Sequence, residues 1–342
     1  MPASRSGRVA AGKHVMSETA ANTTFAEGVA LCRAVEESGL VYMLAENYAY
    51  TTFSQEMHRL YRDGEIGEVT YAEGEYNHPM PAEQQIRLAP GANHWRNWIP
   101  STYYCTHALA PLMYITDCMP RSVNALSIAR SDITARTTRR SDRGSVMLCR
   151  MDNGSVFRIF GIVLPGHSNW YRVHGTGGAM ELTRGTGYFG PGQVRVWHEE
   201  WQRPGGNRAS GSTCPTGPQD TPRAARSNRS EHGGADFWTS YSFAQAIRTN
   251  RRPYLDVYRA VAMSSVGILG WTSALANGAP VEVPDFEREA ERAPYADDHW
   301  SPWPRHAGPG QPPPSILGNL EPSAETLENA RRIWQAMERD GS

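Results

Sequence analysis

Ala10-Ala11-Gly12-Lys13-His14-Val15-Met16-Ser17-Glu18-Thr19 is the stretch that decides the fold. Gly12 ends a helical segment, and the residues after it read as a short buried strand finishing on a carboxylate. That is the closing half of a nucleotide-binding βα unit. Such a unit should open with a strand, a Gly-rich turn and a helix facing the pyrophosphate. Residues 1–9 are too few to hold them, so truncation of the nucleotide domain is the expectation, and with it impaired cofactor binding. Gly185-Thr186-Gly187-Tyr188-Phe189-Gly190 has glycines at a suggestive spacing but follows no strand-to-helix pattern, and it reads as loop.

Outward from the opening motif, the rhythm repeats. Thr24 and Glu27 form a capping box for a helix over 24–38, with Phe25, Val29, Cys32 and Val35 on one face and Gly39 as its stop. Leu40 to Ala45 is an apolar run of strand length ending at Glu46-Asn47. Phe53, Met57, Leu60 and Tyr61 mark another helix, closed at Gly64.

From Val69 the pattern changes to strands, at 69–77, 121–128 and 145–151. Met151-Asp152-Asn153-Gly154-Ser155 reads as a hairpin with a type I′ turn. Helical spacing returns at 236–249, where Asp236 reads as the N-cap, and at 256–277. The fold class is therefore α/β plus α+β: an incomplete Rossmann nucleotide-binding domain, then a large open, predominantly antiparallel β-sheet domain with helices on one face. The divisions fall at 1–50, at 51–284 with a mobile Gly- and Pro-rich loop over 202–233, and at 285–342, a Pro-rich surface tail with an amphipathic helix carrying Leu327, Ala330, Trp334 and Met337.

The chain has 342 residues with 34 basic against 35 acidic groups, and no basic stripe tracks a phosphate backbone, which argues against nucleic acid. No apolar run of membrane-spanning length occurs. Five cysteines, odd in number and without a C-x-x-C pair, fit a reducing compartment. The cytoplasm is the expected location, with export left open because the native N-terminus is expected to be missing.

Asn93-His94-Trp95-Arg96-Asn97-Trp98 and Tyr103-Tyr104-Cys105-Thr106-His107 form the densest polar and aromatic cluster. Aromatic faces pack on a pyranose, an arginine forks onto hydroxyls and a histidine exchanges protons near neutrality. A lone tryptophan or histidine reads as core, and only together in one window do they weigh as much for a site. Glu73 and Glu75 share a strand face and read as solvated edge residues. His78, His94, His107 and Glu46 lack metal-ligand spacing.

The opening motif resembles the AGKHVxxEKP stretch of the Gfo/Idh/MocA oxidoreductases, with Thr19 in place of its lysine and Ala20 in place of its proline. Lys13 is the only lysine in the chain, so no other can supply the missing proton carrier. Asp63 to Val69 resembles the SGxIGxV crossover of that family, and Gly175 to Leu182 its GTxGxxEL hairpin. Tyr103 stands at its aspartate position, four residues before His107. Tyr104-Cys105-Thr106-His107-Ala108-Leu109-Ala110-Pro111 is similar to the YPTHGLGP run of the NAD-dependent glycosidase branch, typified by bacterial α-N-acetylgalactosaminidases.

The resemblance spans roughly residues 10–285 and implies NAD or NADP as cofactor, held by Glu18, Thr19 and Asn47. It implies a sugar or glycoside bound by Tyr76, Arg96, Tyr104, Cys105, Thr106 and His107, with Tyr104 and His107 catalytic, and homo-oligomers formed through the sheet. Sugar oxidation and redox-neutral glycoside hydrolysis are both expected chemistries. A non-catalytic sheet domain is the remaining alternative.

Overall fold

The computed structural model describes residues 5–129, 136–184, 192–199, 201, 210–213 and 230–340. The loop glycines at 185–190 and most of 202–233 lie outside these residues.

Helix α1 (Arg5–Ala10) leads to strand β1 (Val15–Ser17), helix α2 (Phe25–Ser38) and strand β2 (Tyr42–Leu44). β1 and β2 pair in parallel, Val15 opposite Tyr42. The α2 cap forms nearly as read: Thr24 Oγ1 accepts from Glu27 N, and Gly39 closes the helix at φ 64°. The Glu27 carboxylate reaches back one residue further than expected, to the Thr23 N–H at 2.8 Å.

Helix α3 (Thr52–Arg62) crosses to a nine-stranded sheet comprising β3 (Val69–Asn77), β4 (Pro120–Ile128), β5 (Gly144–Met151), β6 (Val156–Ile162), β7 (Ser168–Gly175), β8 (Ala179–Leu182), β9 (Val194–Trp197), β10 (Ser210–Thr213) and β11 (Val281–Glu282). The order is β10-β9-β8-β7-β3-β6-β5-β4-β11. Only β3–β6 is parallel. Helices α4 (Ala82–Arg87), α5 (Thr106–Thr116), α6 (Ala235–Thr249) and α7 (Val257–Leu275) follow the same chain order, and α5 and α7 lie against the sheet. Short helix α8 (Glu289–Arg292) and the last helix, α9 (Ala324–Asp340), complete the described elements.

Several expectations need correction. Ser210–Thr213 is a strand paired with β9, so this part of 202–233 is sheet and not loop. Across 151–155 Gly154 alone takes positive φ, and its N–H bonds Met151 O at 3.0 Å. A type I′ turn needs two such residues, so the loop is a longer hairpin turn closed by a left-handed glycine. The N-cap of α6 is Gly234, not Asp236.

Glu73 and Glu75 are not solvated edge residues, because β3 is central; Arg158 bonds both, at 2.7 and 3.0 Å. The segment after 285 is packed rather than superficial. Phe286 is buried and stacks on Phe25 with ring centroids 5.9 Å apart. Helix α9 docks on the body: Ala330 is buried and Trp334 Nε1 donates to Ile86 O at 2.9 Å.

Candidate active site

The site begins where the parallel strands end. Glu46, just past β2, is fully buried, and a bare carboxylate there would be costly. It is saturated instead. Its Oε1 lies 2.6 Å from His107 Nδ1, and its Oε2 accepts from the Thr19 hydroxyl at 3.1 Å. The Thr19 hydroxyl is itself 2.7 Å from that of Thr106. Burial pushes the Glu46 carboxyl up, but the charge and hydrogen bonds of His107 and the two threonines outweigh it and hold it below the ordinary value.

His107 stands in the first turn of α5. The backbone of α5 approaches β3 so closely that a Cβ on Gly74 would collide with the Ala108 carbonyl oxygen. Likewise a Cβ on Gly267 would come within 2.7 Å of Thr102 O, so α7 presses on the turn preceding α5. Pro111 lies inside α5 and lacks the N–H that would bond the His107 carbonyl. The Tyr171 hydroxyl donates to that oxygen at 2.7 Å.

Three tyrosines surround the imidazole: Tyr76, Tyr48 and Tyr104 have ring centroids 4.4, 4.6 and 4.9 Å from it. Burial pushes the Tyr104 phenol far above its ordinary range. Tyr104 is therefore a neutral hydroxyl near pH 7. Nδ1 is engaged by Glu46, so Nε2 is the ring nitrogen that this pairing leaves out.

Beside these rings opens a cavity of about 880 Å³. Glu18, Thr19, Tyr76, Arg96 and Tyr104 line it, as do Trp303 and Arg305 from the C-terminal segment. The other predicted residues stand behind that surface. Cys105 is buried with Sγ 3.6 Å from Met263 O, and Thr106 is buried against Thr19, so both support the loop and neither is placed to touch a substrate. Asn47 Nδ2 donates to Asp236 Oδ1 at 2.8 Å, leaving its own oxygen as an acceptor.

Sequence reasoning missed three contributors. Glu46 carried a signal, a carboxylate at a strand end, but its pairing with a histidine 61 residues away is tertiary. Asp236 joins Asn47 to His232, whose Nδ1 lies 2.8 Å from it. Nothing local marks Trp303 as a cavity wall. Among the described residues Glu231, His232 and Asp236 are the one group whose potential ligand atoms gather, within 4.8 Å of one another. Both Asp236 oxygens already have partners there.

Glu18 and Asn47, at the carboxyl ends of adjacent parallel strands, occupy the place where a doubly wound sheet receives a nicotinamide. The residues present fit that end of a dinucleotide. No described segment forms a strand, Gly-rich turn and helix for its pyrophosphate.

A parallel nucleotide-type unit followed by an open antiparallel sheet is the fold of the Gfo/Idh/MocA oxidoreductases. Residues 54–181 match the GFO/IDH/MocA C-terminal domain, and residues 219–292 match the glycosyl hydrolase 109 C-terminal domain. A glycosyl hydrolase family 109 protein of Saccharopolyspora erythraea is 24% identical over 322 residues, 83% of this chain and 64% of its own. An α-N-acetylgalactosaminidase of Bacteroides fragilis is 24% identical over 314 residues, 82% of this chain and 71% of its own. The first three curated relatives are covered over only 58% to 66% of their length. A levoglucosan dehydrogenase in complex with NADH and levoglucosan superimposes with TM-score 0.66 at 19% identity, over 82% of this chain and 76% of that one. No helix among the described residues is long and apolar enough to cross a membrane.

Proposed function

We propose that the protein is an NAD(P)-dependent oxidoreductase acting on a sugar or glycoside, with His107 as the proton-transferring residue. The observation that supports this most directly is the buried Glu46–His107 pair, 2.6 Å apart, beside an aromatic-lined cavity. Glu46 fixes the imidazole tautomer and stabilises the imidazolium formed when Nε2 takes a proton from a ring hydroxyl. Tyr76 and Tyr104 offer flat faces to a pyranose, and Arg96 offers paired donors. Glu18 and the free oxygen of Asn47 would hold a nicotinamide ribose, and a nicotinamide bound there supplies a hydride acceptor. Homo-oligomers formed through the open sheet face remain part of this reading: Leu126 and Leu148 stand exposed there on neighbouring strands.

One observation favours the redox-neutral glycosidase reading. Thr19 takes the place of the usual lysine and is locked to Glu46 and Thr106, so no second nitrogen base accompanies His107 at this point. In that chemistry the hydride of the carbinol next to C2 would first pass to a bound NAD. His107 would then take the C2 proton so acidified while the aglycone departs by elimination, and water addition with return of the hydride would complete the hydrolysis. The two readings separate in one assay on the chain supplied with NAD. Release of a chromogenic aglycone with solvent deuterium entering C2 and no net NADH indicates hydrolysis. NADH accumulating in step with oxidised sugar indicates a dehydrogenase, and neither signal would sink both.

A further inference from the structure

Two arginines of the cavity wall, Arg96 and Arg139, have no carboxylate in ion-pair contact among the described residues. Arg139 lines the cavity beside Arg96, because segment 138–140 is stitched to Asn97: Arg140 N donates to Asn97 O at 2.7 Å and the Thr138 hydroxyl to Asn97 Oδ1 at 3.0 Å. The Arg139 guanidinium bonds only neutral oxygens, the Ser141 hydroxyl at 3.0 Å and the Ile99 and Asp142 carbonyls at 3.5 Å. Among the described residues neither it nor Arg96 has a carboxylate in ion-pair contact. Burial, with Arg143 and Arg96 adding like-charge repulsion against the pull of Asp142, pushes the Arg139 guanidinium down to about 10.

The Arg96 guanidinium carbon sits over the Trp95 ring, 4.5 Å from its centroid, a cation–π contact that restricts its side chain in advance. The cavity's carboxylates, Glu18 and Glu27, belong to the β1–α2 side. Two preoriented forks without a counter-ion are an arrangement suited to an oxyanion.

We infer that the substrate is an acidic sugar, whose carboxylate or sulfate ester is held by Arg96 and Arg139 while its ring lies toward Tyr76 and Tyr104. The inference rests on the sugar-site reading above and names the substrate class for it.

Calorimetric titration of the full chain with hexuronates and hexose 6-sulfates, against the parent neutral hexoses, tests it. The acidic sugars should bind about tenfold or more tightly than their parents, with the margin narrowing as salt is added. Comparison of uronate with sulfate tells a carboxylate site from a sulfate site. Arg139→Gln should erase most of the margin, and Arg139→Lys should keep part of it. Arg96→Gln should narrow it as well and, as an independent position, guards against a folding defect at Arg139. Equal affinity for acidic and neutral sugars overturns the inference and leaves the sugar site standing. No binding of any sugar overturns both. NAD or inorganic phosphate binding that disappears in Arg139→Gln, with sugar selectivity intact, overturns the inference by assigning the arginines to nucleotide phosphates.

Discussion

The Tyr171 hydroxyl holds the carbonyl oxygen of His107 at 2.7 Å, replacing the helical bond that Pro111 removes. A proline mid-helix would ordinarily leave that oxygen unserved and let the first turn of α5 bend. Here β7 reaches across from the sheet to serve it. The turn that carries the imidazole is thus braced by a fully buried side chain of the sheet.

Tyr171→Phe should therefore cost about 1–3 kcal/mol, because a buried carbonyl loses its donor. Turnover should fall further than the lost stability accounts for, since the His107 turn is released. Urea denaturation and steady-state kinetics on one preparation check this. Wild-type values in both would remove Tyr171 from the support of the site.

Glu46→Gln should lower turnover by about a hundredfold, the scale of a lost proton-transfer arrangement. It should also flatten the acid limb of the stability profile. The Glu46 carboxyl is held below its ordinary value, so its stabilising contribution is present above the ordinary carboxylate range and is lost as pH falls through its folded value. Unfolding free energies measured between about pH 3 and pH 7 should fall less steeply toward acid in the variant.

Gly74→Ala tests the seating of α5 on the sheet. The added methyl has no room before the Ala108 carbonyl, and backbone cannot swing aside as a side chain can. A loss of about 1–3 kcal/mol is expected, the usual cost of overpacking, together with a rise in KM for sugar as Tyr104 and His107 shift. A variant with unchanged stability and KM would show that the helix has slack.

Phe286→Ala asks whether the C-terminal segment is structural. Phe286 is 1% exposed and stacks on Phe25, so truncation should cost about 3–5 kcal/mol. A loss below about 1 kcal/mol, the range of surface substitutions, would return the segment to the role of a superficial tail.

What the sequence made legible was local. Gly12 and Gly39 punctuated β1, α2 and β2 because a left-handed stop has a residue-level signature. His107 stood out because aromatic and polar residues crowd its window. Its partner Glu46 did not, since nothing near Glu46 announces a histidine that folding brings from α5. Glu73 and Glu75 were misread for a similar reason: a charged strand looks like an edge until the arginine of a neighbouring strand is known. Asp236 has the chemistry of an N-cap, but two left-handed glycines start α6 and free the carboxylate to join Asn47 and His232. The Pro-rich composition after 285 hid its burial, because few apolar residues, placed well, suffice to anchor it.

The N-terminal β-α-β unit is completed by residues from the far end of the chain. Ala21 N donates to Ser264 Oγ and Ala26 N to Asp298 O, each at 2.9 Å, while Tyr295 stacks on Phe25. During synthesis, strand β1 and Glu18 just past it leave the ribosome long before the residues that hold them in place. The cavity can close only once Trp303 and Arg305, which line it, have emerged, so the site forms late, after the central sheet has had time to assemble. A nascent chain stalled before residue 264 would carry every residue of the Glu46–His107 pair and still lack the wall and the struts that make a pocket of it.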